Sequence, residues 1–276
     1  VVALLGRPNA GKSTLLNAVL GEKLAITTAR PQTTRSRLLG VLSSPGVQII
    51  FCDTPGINRG QSRFNLAMAE VAMAAAADAD VRVLLLDAGA DWDTPEDRVA
   101  DLSAPVLLVR TKVDLAEPGS VPRPERFAEI LTLSARTRVG LDHFLEKVAA
   151  YLPASPPLYP DDYLTDVPVR FLAAEQVREV AFEHYRDEIP YSLAVEMEEW
   201  KESPTEVRIR ANLLVERESQ KGIVVGGGGR MLKVVGSEAR RRLSVFLGKQ
   251  VHLQLWVKSD RYWTRRLKRA RELGYL

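Results

Sequence analysis

Apolar residues gather in five short runs, at 1–5, 47–51, 81–86, 106–109 and 130–133. Each is too short for a helix and too continuous for a strand with one wet face, so each predicts a strand buried on both sides. Between the runs, residues 13–20, 66–79 and 141–151 carry apolar positions at helical spacing and read as crossover helices. This alternation predicts the α/β class, with a doubly wound, mostly parallel sheet. Residues 38–41, ahead of Pro45-Gly46, are expected to form a hairpin with 47–51 and add one antiparallel edge strand.

The pattern breaks at 153–160, where four residues of eight are proline. Such a segment cannot continue a helix and favours an extended spacer. Beyond it the periods predict a helix (169–187), strands (191–200 and 207–217), a short helix (219–224), a four-glycine loop, a helix (230–246), a strand (250–257) and a basic tail. Val251, Leu253, Leu255 and Val257 alternate with His252, Gln254 and Trp256, the mark of a half-buried strand. The expected layout is an α/β domain at 1–152, a Pro-rich linker at 153–168 and a small α+β domain at 169–276, its sheet open on one face.

A chain of 276 residues suits two domains. No apolar run approaches the ~20 residues of a membrane span. A lone cysteine, Cys52, excludes an intrachain disulfide, fits a reducing compartment and reads as a small apolar residue on a core strand. Val1 falls inside a strand pattern with no initiator Met before it, so further native residues are expected ahead of it. Net charge is only +3, but residues 161–207 carry 4 Lys+Arg against 13 Asp+Glu, and residues 208–276 carry 17 against 5. So basic an end points either to a polyanion, most often nucleic acid, or to a well-solvated surface.

Gly6-Arg-Pro-Asn-Ala-Gly11-Lys12-Ser13 matches G-x-x-x-x-G-K-[ST] and stands between a strand and a helix. Its backbone N–H groups, including those of Asn9, Ala10, Gly11 and Thr14, and the helix N-terminus behind them suit a triphosphate. Lys12 is expected to reach the β- and γ-phosphates, and Ser13 to ligate Mg²⁺. Asp53-Thr54-Pro55-Gly56 closes the next strand, where Asp53 would hold Mg²⁺ and the Gly56 N–H would touch the γ-phosphate. Thr111-Lys112-Val113-Asp114 ends another. A carboxylate there accepts two hydrogen bonds from guanine, a donor pair that adenine lacks. Lys112 would cover the purine face, and Ser134-Ala135 would offer an N–H to guanine O6. Of the two threonines in the loop 31–35, Thr34 is preferred over Thr33 as Mg²⁺ ligand and γ-phosphate sensor. Lys12, Thr34 and Gly56 are thus the groups expected at the reacting phosphate. Ile57 follows Gly56, and an apolar side chain cannot orient water, so hydrolysis is expected to be slow without K⁺ or a partner.

In the second part, Gly226-Gly227-Gly228-Gly229-Arg230 lies between two helices. G-x-x-G in that setting is the loop by which KH domains clamp about four nucleotides of single strand, with Lys221, Arg230 and Lys233 supplying charge. A plain glycine linker is the alternative for the loop alone. Trp200 and Trp256 read as core residues of strands; Tyr262 and Trp263, amid Arg265, Arg266, Lys268, Arg269 and Arg271, read as surface residues able to stack on bases. His143, His184 and His252 show no ligand spacing.

GRPNAGKS, PQTTR, DTPG, TKVD and LSA, followed by VEMEEW, VERESQKGIVVG, GRMLKVVGSEARRRL and LGKQVHLQLWVK, together resemble the Era family of bacterial GTPases, which carry a C-terminal KH domain. The resemblance covers nearly the whole chain. It implies a P-loop GTPase domain with a type II KH domain behind it. The implied work is GTP hydrolysis with Mg²⁺ coupled to small-subunit maturation, with the 3′ end of small-subunit rRNA as partner rather than DNA. It further implies a cytoplasmic location, with room for peripheral attachment to the inner membrane face. Asn9 marks relatives that recruit K⁺. Three positions depart from the family: Thr111 stands for Asn, Gly227 for a basic residue, and the tail 263–269 lacks the usual acidic and proline residues. A competing reading makes the chain an RNA-binding module whose guanine nucleotide is structural; a translation or tRNA-modification GTPase would need a substrate domain that the sequence does not show.

Overall fold

Strand β1 (Val2–Gly6) is buried at every residue and sits mid-sheet, which is why its sequence is apolar without alternation. The computed structural model describes residues 1–28, 30–57, 60–92 and 105–276. They form two units, Val1–Asp166 and Val167–Tyr275. In the first, β2 (Leu38–Ser44), β3 (Val47–Asp53), β4 (Val81–Asp87), β5 (Val106–Thr111) and β6 (Glu129–Leu133) join β1 in the order β2-β3-β1-β4-β5-β6. Only β2 runs antiparallel, paired with β3 from Leu38↔Asp53 to Ser44↔Val47. Helices α1 (Lys12–Leu20), α2 (Arg63–Asp78) and α3 (Leu141–Tyr151) belong to the same unit. Helix α2 starts at Arg63, earlier than its apolar period suggests, because the Ser62 hydroxyl accepts the Asn65 N–H at 3.1 Å and caps it. As the outer strand, β6 exposes Ile130 and Thr132 and is buried on one face only.

Residues 158–165 lie along the β2–β3 hairpin. Gln48 Oε1 accepts the N–H groups of Leu158 and Tyr159 at 2.8 and 3.0 Å, and its Nε2 donates to Tyr159 O at 2.9 Å. Val41 N donates to Leu164 O at 2.8 Å, and Thr165 Oγ1 to Leu39 O at 2.6 Å. This part of the proline-rich segment is therefore a bound strap rather than a free spacer. Cys52, on β3, is buried, and burial pushes its thiol up to about 12, leaving it an inert core residue.

The second unit is built from α4 (Val169–His184), α5 (Ile189–Ser192), β7 (Ala194–Glu202), β8 (Glu206–Val215), α6 (Glu218–Val225), α7 (Arg230–Leu247), β9 (Gln250–Ser259) and α8 (Leu267–Glu272). β8 pairs antiparallel with β7 and parallel with β9. The first strand opens at Ala194 rather than 191, because Pro190 stands in the first turn of a short helix. Val207, Ile209, Ala211, Leu213 and Val215 face the core against Val177 and Val180 of α4 and Val235, Ala239 and Leu243 of α7.

Two aromatic expectations are reversed here. Trp263 is fully buried, its Nε1 donating to Ser192 O at 2.8 Å and its ring packed near Tyr275. Trp256 is 57% exposed, on the same outward positions of β9 as His252 and Gln254. Trp200 does pack on the core. The charge asymmetry also changes meaning, since cations of the basic half pair with carboxylates of the acidic segment. Arg242 holds Glu179 and Glu183, Arg210 holds Glu199, Lys249 holds Glu202, Lys258 holds Glu198, and Arg269 holds Glu196. Among the described residues no helix is long and apolar enough to cross a membrane.

Candidate functional site

The carboxyl end of β1, between β3 and β4, is the point where the sheet's connections diverge, the usual ligand position in an open α/β sheet. Gly6 ends that strand, and Gly11 (φ 94°) turns the chain into α1. Lys12 is buried, with Nζ donating to Gly6 O at 3.1 Å and Arg7 O at 2.9 Å. Ser13 Oγ donates to Asp53 Oδ2 at 2.6 Å and lies 2.8 Å from Thr34 Oγ1. Thr33 also lines the cleft, but its hydroxyl donates to Arg30 O at 3.0 Å rather than joining Ser13 and Asp53. The segment after β3 is pinned against β1: Thr54 Oγ1 donates to Leu4 O at 2.7 Å, and Ile57 N to Gly6 O at 3.0 Å. Gly56 touches Pro8 so closely that a Cβ would come within 2.6 Å of the Pro8 nitrogen, so only glycine brings its N–H to the loop.

Asn9, Gly11, Lys12, Ser13, Thr14, Thr34, Gly56 and Lys112 line one cleft of about 300 Å³. Its electrostatics are unfinished. Burial lowers Lys12 to about 8 despite Asp53, and burial raises Asp53 to about 6 despite Lys12. Asp53 Oδ1 is buried and makes no hydrogen bond. Beside Lys12, at the same end of the cleft, this carboxylate oxygen and the Ser13 and Thr34 hydroxyls converge where a divalent cation fits. Asn17 was not foreseen from sequence. Its side chain accepts from Leu24 N and Ala25 N at 2.9 and 2.8 Å, fixing the start of the loop that leads to Thr34.

At the other end, Thr111 Oγ1 donates to Ala10 O at 2.8 Å, tying β5 to the phosphate loop. Lys112, at φ 60°, donates to Asp87 Oδ2 at 2.6 Å. Asp114 is exposed on the turn that follows. Ser134 is buried, and its N–H is already taken by Val139 O at 2.9 Å. Its hydroxyl accepts the Thr137 N–H at 3.1 Å, so Ser134 shapes the turn and Ala135 is the remaining donor of that pair. Asp114, Ser134 and Ala135 are not part of the cleft lining. Ile57 is buried against Leu5, Ala72 and Ala76 and faces the core.

In the second unit Gly226, Gly228 and Gly229 all take positive φ, a run open to glycine at no steric cost. Gly227 O accepts from Arg230 Nε at 3.3 Å, and Lys221 pairs with Glu218 at 2.7 Å. A groove of about 520 Å³ runs from this loop between α7 and β9, bringing Gly229 and Lys233 together with Gly236, Ser237, Arg240 and Leu255. Gly236, Ser237 and Arg240 were not singled out from sequence. Their spacing from Lys233 along one helix was the available signal.

A phosphate-binding loop at the switch point of a doubly wound sheet, joined to a glycine loop over a helix–strand groove, defines a GTPase domain carrying a KH domain. The family model for 50S ribosome-binding GTPases matches residues 1–112, and the KH domain model matches residues 188–264. GTPase Era of Geobacter metallireducens is 46% identical over 99% of this chain and 96% of its own length. A crystal structure of an Aquifex aeolicus Era variant bound to GDP·AlF₄⁻ superposes with a TM-score of 0.94 at 38% identity, covering 99% of this chain and 98% of that one. An Era structure with MgGDPNP and nucleotides 1506–1542 of 16S ribosomal RNA gives the same TM-score and identity over 99% and 97%. The chain belongs to the Era family of GTPases.

Proposed function

We propose that this protein binds GTP in the cleft behind Gly6–Ser13, hydrolyses it slowly, and uses the bound state to control a grip on the 3′ end of small-subunit rRNA. The observation that carries the reading is the cluster of Lys12, Ser13, Thr34 and Asp53, whose buried charges lack counter-charges of the kind a magnesium nucleotide brings. The loop N–H groups of Asn9 to Thr14 cradle the phosphates, and Lys12 holds the β- and γ-phosphates. Ser13, Thr34 and Asp53 are the residues that would hold Mg²⁺, which when bound neutralises charge on the transferring phosphoryl group. Thr34 then senses the γ-phosphate from its loop, and the Gly56 N–H does so from the segment after β3. Asp114 reads the guanine edge, the Lys112 stem covers the base, and the Ala135 N–H meets O6. In the second unit Gly226–Gly229 press on a sugar–phosphate backbone, while Lys233 and Arg240 supply charge along the groove.

An oligonucleotide with the 3′-terminal rRNA sequence should bind more tightly with a non-hydrolysable GTP analogue than with GDP, in a salt-dependent way. Equal affinity in both states, measured by fluorescence anisotropy, would remove the switch. The core-facing Ile57 supports a second reading, a nucleotide that is mainly structural. GTP turnover in K⁺ and in Na⁺, with and without RNA, separates the two: no turnover under any condition selects the structural nucleotide.

A further inference from the structure

We infer that Arg110 is a positioning residue for guanine recognition, holding the loop that carries Lys112 and Asp114 in register against the loop after β4. The inference rests on the guanine reading of Asp114 and assigns that site's specificity to a residue outside it. Arg110 lies on β5 and is 2% exposed, a buried cation in a row of apolar neighbours. Its fork spans two loops. Nη1 donates to Gly119 O at 3.2 Å, and Nη2 donates to Ala88 O at 2.7 Å and to Asp87 O and Ala90 O at 3.3 Å. Gly119 closes the loop that leaves β5 with Lys112 and carries Asp114 and Leu115. Asp87–Ala90 is the loop after β4, and its Asp87 side chain holds Lys112 Nζ. A direct bond, Gly119 N to Ala88 O, is long at 3.4 Å, so the guanidinium is the stronger tie between the loops. Asp114 itself is exposed and rides on a turn whose two ends are held by β5 and by this clamp. Planar donors in a fixed fork suit the task, since lysine offers a single swinging head.

The readout is discrimination, which a merely structural role would not move. IDP lacks the exocyclic amine of GDP, so it forfeits one of the two hydrogen bonds that Asp114 accepts. For a charged acceptor that predicts a GDP preference of about 10- to 100-fold in the unmodified protein. In Arg110→Met the loop carrying Asp114 loses its register. GDP affinity falls while IDP affinity changes little, and the preference drops below about 3-fold. In turnover the loss falls on KM rather than kcat. Arg110→Lys, which keeps one donor, gives an intermediate preference and carries the test if the Met variant does not fold. Wild-type discrimination in a folded Arg110→Met or in Arg110→Lys, with or without a lower melting temperature, overturns the assignment. Absence of any GDP preference in the unmodified protein overturns the Asp114 reading, and this inference with it.

Discussion

Asp53 shows how much a single residue depends on its surroundings. The same carboxylate would be unremarkable in water; buried behind Ser13 with one oxygen unpaired, it stands as a charge that calls for a cation. Trp263 makes the opposite point. It sits in a strongly cationic stretch of the chain, yet among the described residues it is the largest of the fully buried side chains, anchored by its indole N–H to Ser192 O. Trp263→Ala should therefore destabilise the second unit by about 3–5 kcal/mol through lost packing, and an unpaired carbonyl adds to the loss. Thermal or urea unfolding of the full chain checks this. A change below about 1 kcal/mol would mean that the tail frays in solution.

At the scale of elements, α4 and α7 are held by charge as well as by their apolar faces. Arg242 reaches Glu183 from α7 at 2.9 Å and Glu179 at 3.4 Å, and it also takes Glu238 one turn away. Glu238 is held down to about 2 by its hydrogen bonds to Arg241 and Arg242. Its folded pKa lies below the unfolded value of about 4.3, so its contribution is fully present above that pH and is lost as pH falls toward 2. Glu238→Gln should accordingly lower the melting temperature at pH 6 and narrow its gap from the parent protein between pH 4 and pH 2.5. A constant gap across that range would show that the charge is not what matters. The Gln48 strap belongs to the same scale. One amide side chain satisfies three backbone groups of residues 158 and 159, which lets an extended proline-rich segment stay ordered without secondary structure of its own.

For the molecule as a whole, charge is less lopsided than its distribution along the chain implies. Residues 167–275 carry 21 Lys+Arg against 15 Asp+Glu, and Arg242, Lys249, Lys258 and Arg269 of the basic end are committed to pairs with the acidic segment. In the proposed reading the groove cations Lys233 and Arg240 carry the contact with RNA. Lys233→Ala should weaken binding of the 3′-end oligonucleotide similarly across sequences, with the salt slope reduced by about 1, as should Arg240→Ala. Retained slopes in both variants would move the RNA off this groove.

The fold class was legible because buried strands and crossover helices leave different periods, and the phosphate loop because its glycines and lysine stand at fixed spacing on the two sides of a turn. Local chemistry, read in chain order, was enough for both. What lay beyond it depended on partners far along the chain. That Trp263 is core, that cations of the basic end pair with carboxylates of the acidic segment, that the linker is strapped to Gln48, and that Arg110 bridges two loops are all facts of contact between residues distant in sequence. For Trp256 the signal was local: alternation along β9 sets it with His252 and Gln254, against its reading as a core residue. Nothing local could say that Ser192 would be waiting for Trp263, because the cost of burying an indole N–H depends on an acceptor 71 residues away.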